Sequence, residues 1–230
     1  MMRFNSVKRN IARLLDLLLA ADIALLIEPV VEQAIIARGA RRIRRITSLG
    51  LSKAPGILFR SGFATISDYY NCLTNGAYSA VLLDGAILQI SYDFEGDELI
   101  AHRLVYYPCP FEVDTELLLS EPIVDIIELY QSGSGTHVRL RSPLRFDYER
   151  DAQQPGHPAV HLTLLYEHCR WAIVAPLSPG HFVRFIFRHF YPHLWEVHDF
   201  LRNWPQELGH RTITEEEERI LHVSCSREAS

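Results

Sequence analysis

Residues 79–107 constrain the fold more tightly than any other stretch of this chain. Leu88, Ile90, Tyr92 and Phe94 alternate with Gln89, Ser91 and Asp93, and a period of two sends each set to its own side of a β-strand. Asp84-Gly85 and Glu95-Gly96-Asp97 interrupt the pattern with residues suited to tight turns. Strands over 79–83, 86–94 and 98–107 are therefore expected to run as an antiparallel meander with one buried and one polar face. Pro108-Cys109-Pro110 ends it.

Helical patterns lie on both sides of this block. Residues 4–20 place Leu14, Leu15, Leu17, Leu18 and Leu19 against a polar face of Arg9, Arg13 and Asp16. Pro29 as a first helical residue and Gly39 as a C-terminal cap predict a second helix between them. Lys53 to Gly62 reads as a loop, and 65–75 as a helix capped by Thr65 or Ser67 and stopped at Gly76. A helix over 121–131 follows the meander, and strands over 137–148 and 160–168 follow that helix, joined by a loop with Pro155-Gly156. Ser178-Pro179 starts a helix with an apolar stripe of Phe182, Phe185, Ile186, His189 and Phe190 ended by Pro192, and a further helix spans 193–203. Strands together in sequence and helices toward the ends predict an α+β fold. The expectation is one domain over 1–230: N-terminal helices in 1–40, a sheet core of meander plus hairpin in 79–168 with one inserted helix, and C-terminal helices in 179–203.

Composition narrows the function classes. A net charge of -5 argues against non-specific coating of nucleic acid, which requires a surplus of cations. Asp16, Asp22, Glu28 and Glu32 interrupt the apolar stretch from Ile11 to Ala37, so no membrane span is expected, and no signal peptide is read at the N-terminus. Cys72, Cys109, Cys169 and Cys225 form no paired motif, which predicts buried thiols and a reducing, cytoplasmic setting with no thiol nucleophile. The run Arg41 to Arg45 reads as a solvated or edge segment. Only Lys8 and Lys53 are lysines, and ten of the 11 histidines lie beyond residue 136. His189, His193 and His198 sit among aromatics and are expected to pack.

Two of these histidines stand out. Along 137–148 the even positions Val138, Leu140, Ser142, Leu144, Phe146 and Tyr148 form a core face, and the odd positions His137, Arg139, Arg141, Pro143, Arg145 and Asp147 form a basic ladder. Pairing with 160–168 as a hairpin brings His161 to Asp147 and Thr163 to Arg145, with His157 in the adjoining loop. One reading assigns catalysis to Asp147, His157 and His161, with Asp147 orienting an imidazole that acts as general base or acid, while Arg139, Arg141 and Arg145 hold a phosphate and stabilise developing negative charge, which is metal-independent phosphodiester chemistry. A second makes His157, His161 and Asp147 metal ligands, against which the dense arginines act. The plain alternative is a surface salt bridge with two loop-closing histidines. The site as read needs no metal or cofactor. Arg103 could join a polar sheet face with Gln89 and Ser91, although a solvated face explains it as simply.

Asp84-Gly85, Gln89-Ile90-Ser91-Tyr92, His102-Arg103, Tyr107-Pro108-Cys109-Pro110-Phe111, Arg145-Phe146-Asp147-Tyr148, His157-Pro158-Ala159-Val160-His161-Leu162, Pro176-Leu177-Ser178-Pro179 and Phe190-Tyr191 together resemble an uncharacterised bacterial family, domain of unknown function 2290, over about 46–191. That resemblance implies no activity. An Arg-x-Asp strand end followed by a His-Pro-x-x-His loop is similar to a feature of small bacterial toxins of toxin-antitoxin pairs. The expectation is a protein that engages nucleic acid or another phosphate ligand, as a toxin-like or defence-associated nuclease. The rival is a non-catalytic subunit whose terminal helices dock a protein partner.

Overall fold

The computed structural model describes residues 2–36, 42–48, 65–133, 137–164, 168–204, 207 and 209–224. Helix α1 (Phe4–Ala20) buries Phe4, Val7, Ile11, Leu14, Leu15 and Leu18 and turns Arg9, Arg13 and Asp16 outward. Each such apolar side chain contributes about 1.5–3 kcal/mol. The apolar stripe of α1 is thus covered by the protein's own core and is not a free docking face.

Strands β1 (Ala24–Ile27), β2 (Val31–Ile36) and β3 (Arg42–Thr47) come next. The helix expected from Pro29 does not form. Val31, Ile35 and Ile36 are β-branched, and β2 pairs antiparallel with β3 from Val31↔Thr47 to Ile36↔Arg42. Gly39, Arg41 and the loop expected over Lys53 to Gly62 lie outside the described residues. Helix α2 (Ile66–Thr74) starts at a capping box in which Thr65 and Asp68 satisfy each other's backbone N–H groups.

The meander forms as expected, as β4 (Ala80–Leu82), β5 (Ile87–Glu95) and β6 (Glu98–Tyr107), with Gly85 and Gly96 at φ of 80° and 63° in its turns. Helices α3 (Thr115–Ser120) and α4 (Ile123–Ser132) precede β7 (Leu144–Glu149), β8 (Val160–Leu164) and the unexpected β9 (Arg170–Ala172). Strand β7 begins seven residues later than 137 because Pro143 has no N–H for a ladder. Val138 and Leu140 are exposed as a result, not core. Helix α5 (Pro179–Phe190) is capped by Ser178, and the expected 193–203 helix divides at His198 into α6 (Pro192–Val197) and α7 (Asp199–Arg202). Helix α8 (Glu215–Glu218) is capped by Thr214.

The described strands make one nine-stranded antiparallel sheet, seven of them in the order β1-β4-β5-β6-β7-β8-β9 and the other two, β2 and β3, joined to β5 through β3. Strand β5 divides one edge between two partners: β4 pairs with Ile87 and Leu88, and β3 with Ser91 to Glu95. On one face Ile46, Tyr92, Leu104, Phe146, Tyr148 and Leu162 pack with α1 and α5. On the other, Val81, Ile87, Val105 and Tyr107 pack under α2 and α4. Gln89 and Ser91, expected on a solvated face, are buried, and Gln89 donates to the Ala77 carbonyl at 2.5 Å. No helix among the described residues is long and apolar enough to cross a membrane.

Three histidines expected to pack do not share one environment. His189 and His193 are exposed, because the turns that carry them lie beyond the buried part of α5, while His198 is half-buried against Phe200. His102, by contrast, is buried between the rings of Tyr92 and Tyr148. Its Nε2 accepts the Leu177 N–H at 3.1 Å, and Tyr92 donates to the Leu177 carbonyl at 3.0 Å, which fixes the residue before the α5 cap. Burial pushes the His102 imidazole down to about 4.

A neutral His102 predicts acid lability of definite sign. The unfolded chain takes up this proton first, so the stability His102 holds at pH 7 is lost as pH falls from about 6.5 to about 4, amounting to roughly 3 kcal/mol at most. Urea unfolding across this range should therefore be less pH-dependent in His102→Gln than in the wild type. Equal slopes would exclude His102 as the group.

Candidate functional site

The polar half of the sheet face beside α2 is assembled by register. Arg103 on β6 lies opposite Asp147 on β7, and Asp147 opposite His161 on β8. In the next row Arg145 lies opposite Thr163, and Thr163 opposite Arg170 on β9. Side chains directly opposite in an antiparallel pair share a face. Arg103, Arg145, Asp147, His157, His161 and Arg170 consequently line one cleft of about 370 Å³.

Asp147 is its centre. The Arg103 Nε donates to Oδ1 at 2.9 Å and the Arg145 Nε to Oδ2 at 2.5 Å. The carboxylate is 11% exposed, Arg145 17% and Arg103 39%. Burial alone would raise the carboxyl, but the Arg103 and Arg145 charges outweigh it and hold Asp147 below the usual range. It is therefore ionised at neutral pH and both oxygens are occupied. Such a carboxylate orients guanidinium groups and is a poor proton acceptor.

His161 is buried, with Nδ1 2.9 Å from the Pro158 carbonyl, a contact that places the proton of the neutral ring on Nδ1. Nε2 is then the free lone pair, 3.7 Å from Asp147 Oδ2, too far for a good hydrogen bond. Burial lowers the imidazole pKa, opposed by Asp147. His157 is half-buried, and its ring meets that of His161 edge to face at 4.9 Å. Its loop is closed by paired backbone hydrogen bonds with Gln154.

Of the six site residues expected from sequence, four gather here: Arg145, Asp147, His157 and His161. Arg139 and Arg141 do not. With the chain outside the ladder before Pro143, Arg139 pairs with Glu112 and Arg141 donates to the Cys109 carbonyl at 3.2 Å. The basic group is instead transverse to the strands, built by Arg103, Arg145 and Arg170. Arg170 was not legible because β9 is too short to show alternation, and the Arg170 Nε is buried with no hydrogen-bond partner among the described residues. Arg45, from the basic run, reaches the cleft in a two-pronged pair with Asp93 at 2.6 and 2.7 Å.

The chemistry available is anion binding beside an imidazole base. Among the described residues no three His, Cys, Asp or Glu side chains gather to hold a metal ion, so Asp147, His157 and His161 do not form the ligand set of the second reading. Cys72 and Cys109 are buried, with burial pushing the Cys72 thiol up to about 12, while Cys169 is only half-buried.

Removing the shared carboxylate should leave two partly buried guanidinium groups facing each other. Asp147→Ala is expected to lose about 2–3 kcal/mol, less than a fully buried pair because Arg103 is partly hydrated. Phosphate or sulfate should restore part of the melting temperature in this variant and an equal ionic strength of chloride should not. No selective recovery would mean that the guanidinium groups do not converge on an anion.

No curated protein and no solved structure matches the chain. One family model does, described as an uncharacterized conserved protein, DUF2290, and it spans residues 32–225. Since that match covers most of the chain, with strands β3 to β9 and every residue of the cleft inside it, the chain belongs to the DUF2290 family.

Proposed function

We propose that the cleft binds a phosphate ester of nucleic acid on Arg103, Arg145 and Arg170, and that His161 and His157 move the protons of a metal-independent phosphodiester cleavage. The observation that carries this reading is the convergence of three guanidinium groups from β6, β7 and β9 beside an imidazole of fixed tautomer on the intervening β8. Arginine matches phosphate oxygens through its planar fork, and charge-assisted hydrogen bonds are the stronger kind. Asp147 sets the direction of Arg103 and Arg145 by engaging Nε of each.

His161 supports a base role in a specific way. Its lowered pKa keeps the ring neutral near pH 7, and the Pro158 carbonyl leaves Nε2 to accept the proton of an attacking hydroxyl. The imidazolium so formed would lie beside the Asp147 carboxylate. His157, half-buried at the cleft, is the partner that returns a proton to the leaving oxygen. A toxin-like or defence-associated role follows for such a nuclease in a cell. The rival, a subunit docking through its terminal helices, is weakened because α1 already buries its apolar stripe.

The test separates binding from chemistry. Arg170→Ala should weaken binding of a labelled oligonucleotide about tenfold or more, whereas His161→Ala should abolish cleavage with binding retained. Cleavage should persist in chelator, fall as pH drops below the histidine range, and be accompanied by growth arrest on expression that His161→Ala relieves. Unchanged cleavage and growth in His161→Ala would remove the catalytic part of the reading.

A further inference from the structure

The paired imidazoles constrain more than the place of a phosphate. His161 presents Nε2 because the Pro158 carbonyl engages Nδ1 at 2.9 Å. His157 meets that ring edge to face, with centroids 4.9 Å apart and planes at 74°. Two imidazoles this close, turned across each other, can serve the attacking and the leaving oxygen of one phosphorus. The attacking oxygen itself must come from elsewhere.

Three sources of that oxygen can be weighed. Side-chain hydroxyls among the described residues are badly placed. Ser91 lines the cleft but stands on β5, three strand spacings from His161 and so about 14 Å away. Tyr148 packs in the core of the opposite face, and the Thr163 hydroxyl is buried. Water needs strong activation. A metal ion would supply it, but no three His, Cys, Asp or Glu side chains gather to hold one among the described residues. An imidazole base by itself contributes only about 10²–10⁴-fold. A ribose 2′-hydroxyl beside the scissile phosphate gains far more, because a well-oriented intramolecular nucleophile acts at an effective concentration of about 10⁵–10⁸ M. That third source arrives with the substrate.

We infer that the substrate is RNA, whose ribose 2′-hydroxyl attacks the adjoining phosphorus to give a 2′,3′-cyclic phosphate and a 5′-hydroxyl end. This rests on the phosphodiester reading above and names its substrate. In that step the O2′–P bond forms as the P–O5′ bond breaks. The 2′-hydroxyl proton passes to His161 Nε2, and the departing O5′ takes one from the His157 imidazolium. Nothing is oxidised or reduced, and no water is consumed. The arginines meet the charge that builds on the non-bridging oxygens. DNA lacks the 2′-hydroxyl, so it binds the same arginines and stays whole.

The full chain is tested on four single strands of one sequence: RNA, DNA, DNA with one ribonucleotide, and 2′-O-methyl RNA. RNA should be cut, and the mixed strand only on the 3′ side of its ribonucleotide. DNA and 2′-O-methyl RNA should bind comparably and be cut at least about a thousandfold more slowly. Mass spectrometry of the products should show the cyclic phosphate on one fragment and a 5′-hydroxyl on the other. Placing a bridging sulfur at O5′, which leaves without a proton, should restore cleavage to His157→Ala and not to His161→Ala, which separates a lost acid from a lost fold. Restoration of both variants or of neither would overturn the proton assignment. DNA cut at the rate of RNA, or RNA products bearing a 5′-phosphate, would overturn the 2′-hydroxyl step and keep the phosphodiester reading. No cutting of any strand would overturn both.

Discussion

The register of β5 to β8 is the constraint on which the rest depends. Tyr92, His102, Tyr148 and Val160 stand opposite one another in one row, and Ser91, Arg103, Asp147 and His161 in the next. Because the side-chain period is two, a slip of one residue in any pair would exchange these rows. Charged groups would enter the α1 and α5 core, and the core would face water. The apolar row therefore enforces the polar one, so Asp147 meets Arg103 and Arg145 through packing on the far side of the sheet.

That enforcement accounts for a group with little reason to exist on stability grounds. Burying a carboxylate costs several kcal/mol unless its partners are well placed, and a hydrophobic replacement is often as stable. Here the register brings two Nε donors to one carboxylate, which keeps both arginines from folding back along the surface. The outcome is a preorganised cationic point, in which much of the side-chain ordering cost is met on folding and not on binding.

What could be read from the sequence follows the same logic. Alternation and glycine turns in 79–107 specify the meander, and Phe146 and Tyr148 against Val160 and Leu162 specify the β7–β8 register, so the approach of Asp147 to His161 was legible. Alternation reads along a strand, however, and the cleft is assembled across strands. Arg103 looked like an ordinary solvated position and Arg170 carried no pattern, yet each lies one or two pairings from Asp147 or Arg145. The period continues in the sequence through Pro143 to Arg141 and Arg139, but the ladder stops there, so alternation places these two arginines on a strand that does not reach them. The β2 hairpin was hidden because Pro29 suits a helix start as well as a strand approach, and β-branched residues decided the outcome.

The tautomer of His161 limits the chemistry the site can do. In a Ser-His-Asp arrangement the carboxylate accepts the Nδ1 proton and leaves Nε2 for the substrate. Here the Pro158 carbonyl takes the Nδ1 role, and Asp147 lies on the Nε2 side, committed to two arginines. The same carboxylate therefore faces both the arginines and the imidazole. It aims the guanidinium groups while the histidine is neutral, and it gains a third cationic neighbour once Nε2 is protonated. An anion bound on the arginines competes with Asp147 for their charge and at the same time favours the imidazolium. On the proposed reading, ligand binding and proton uptake at His161 would thus be coupled through one carboxylate, and a phosphate engaging the arginines would strengthen the base that acts on it.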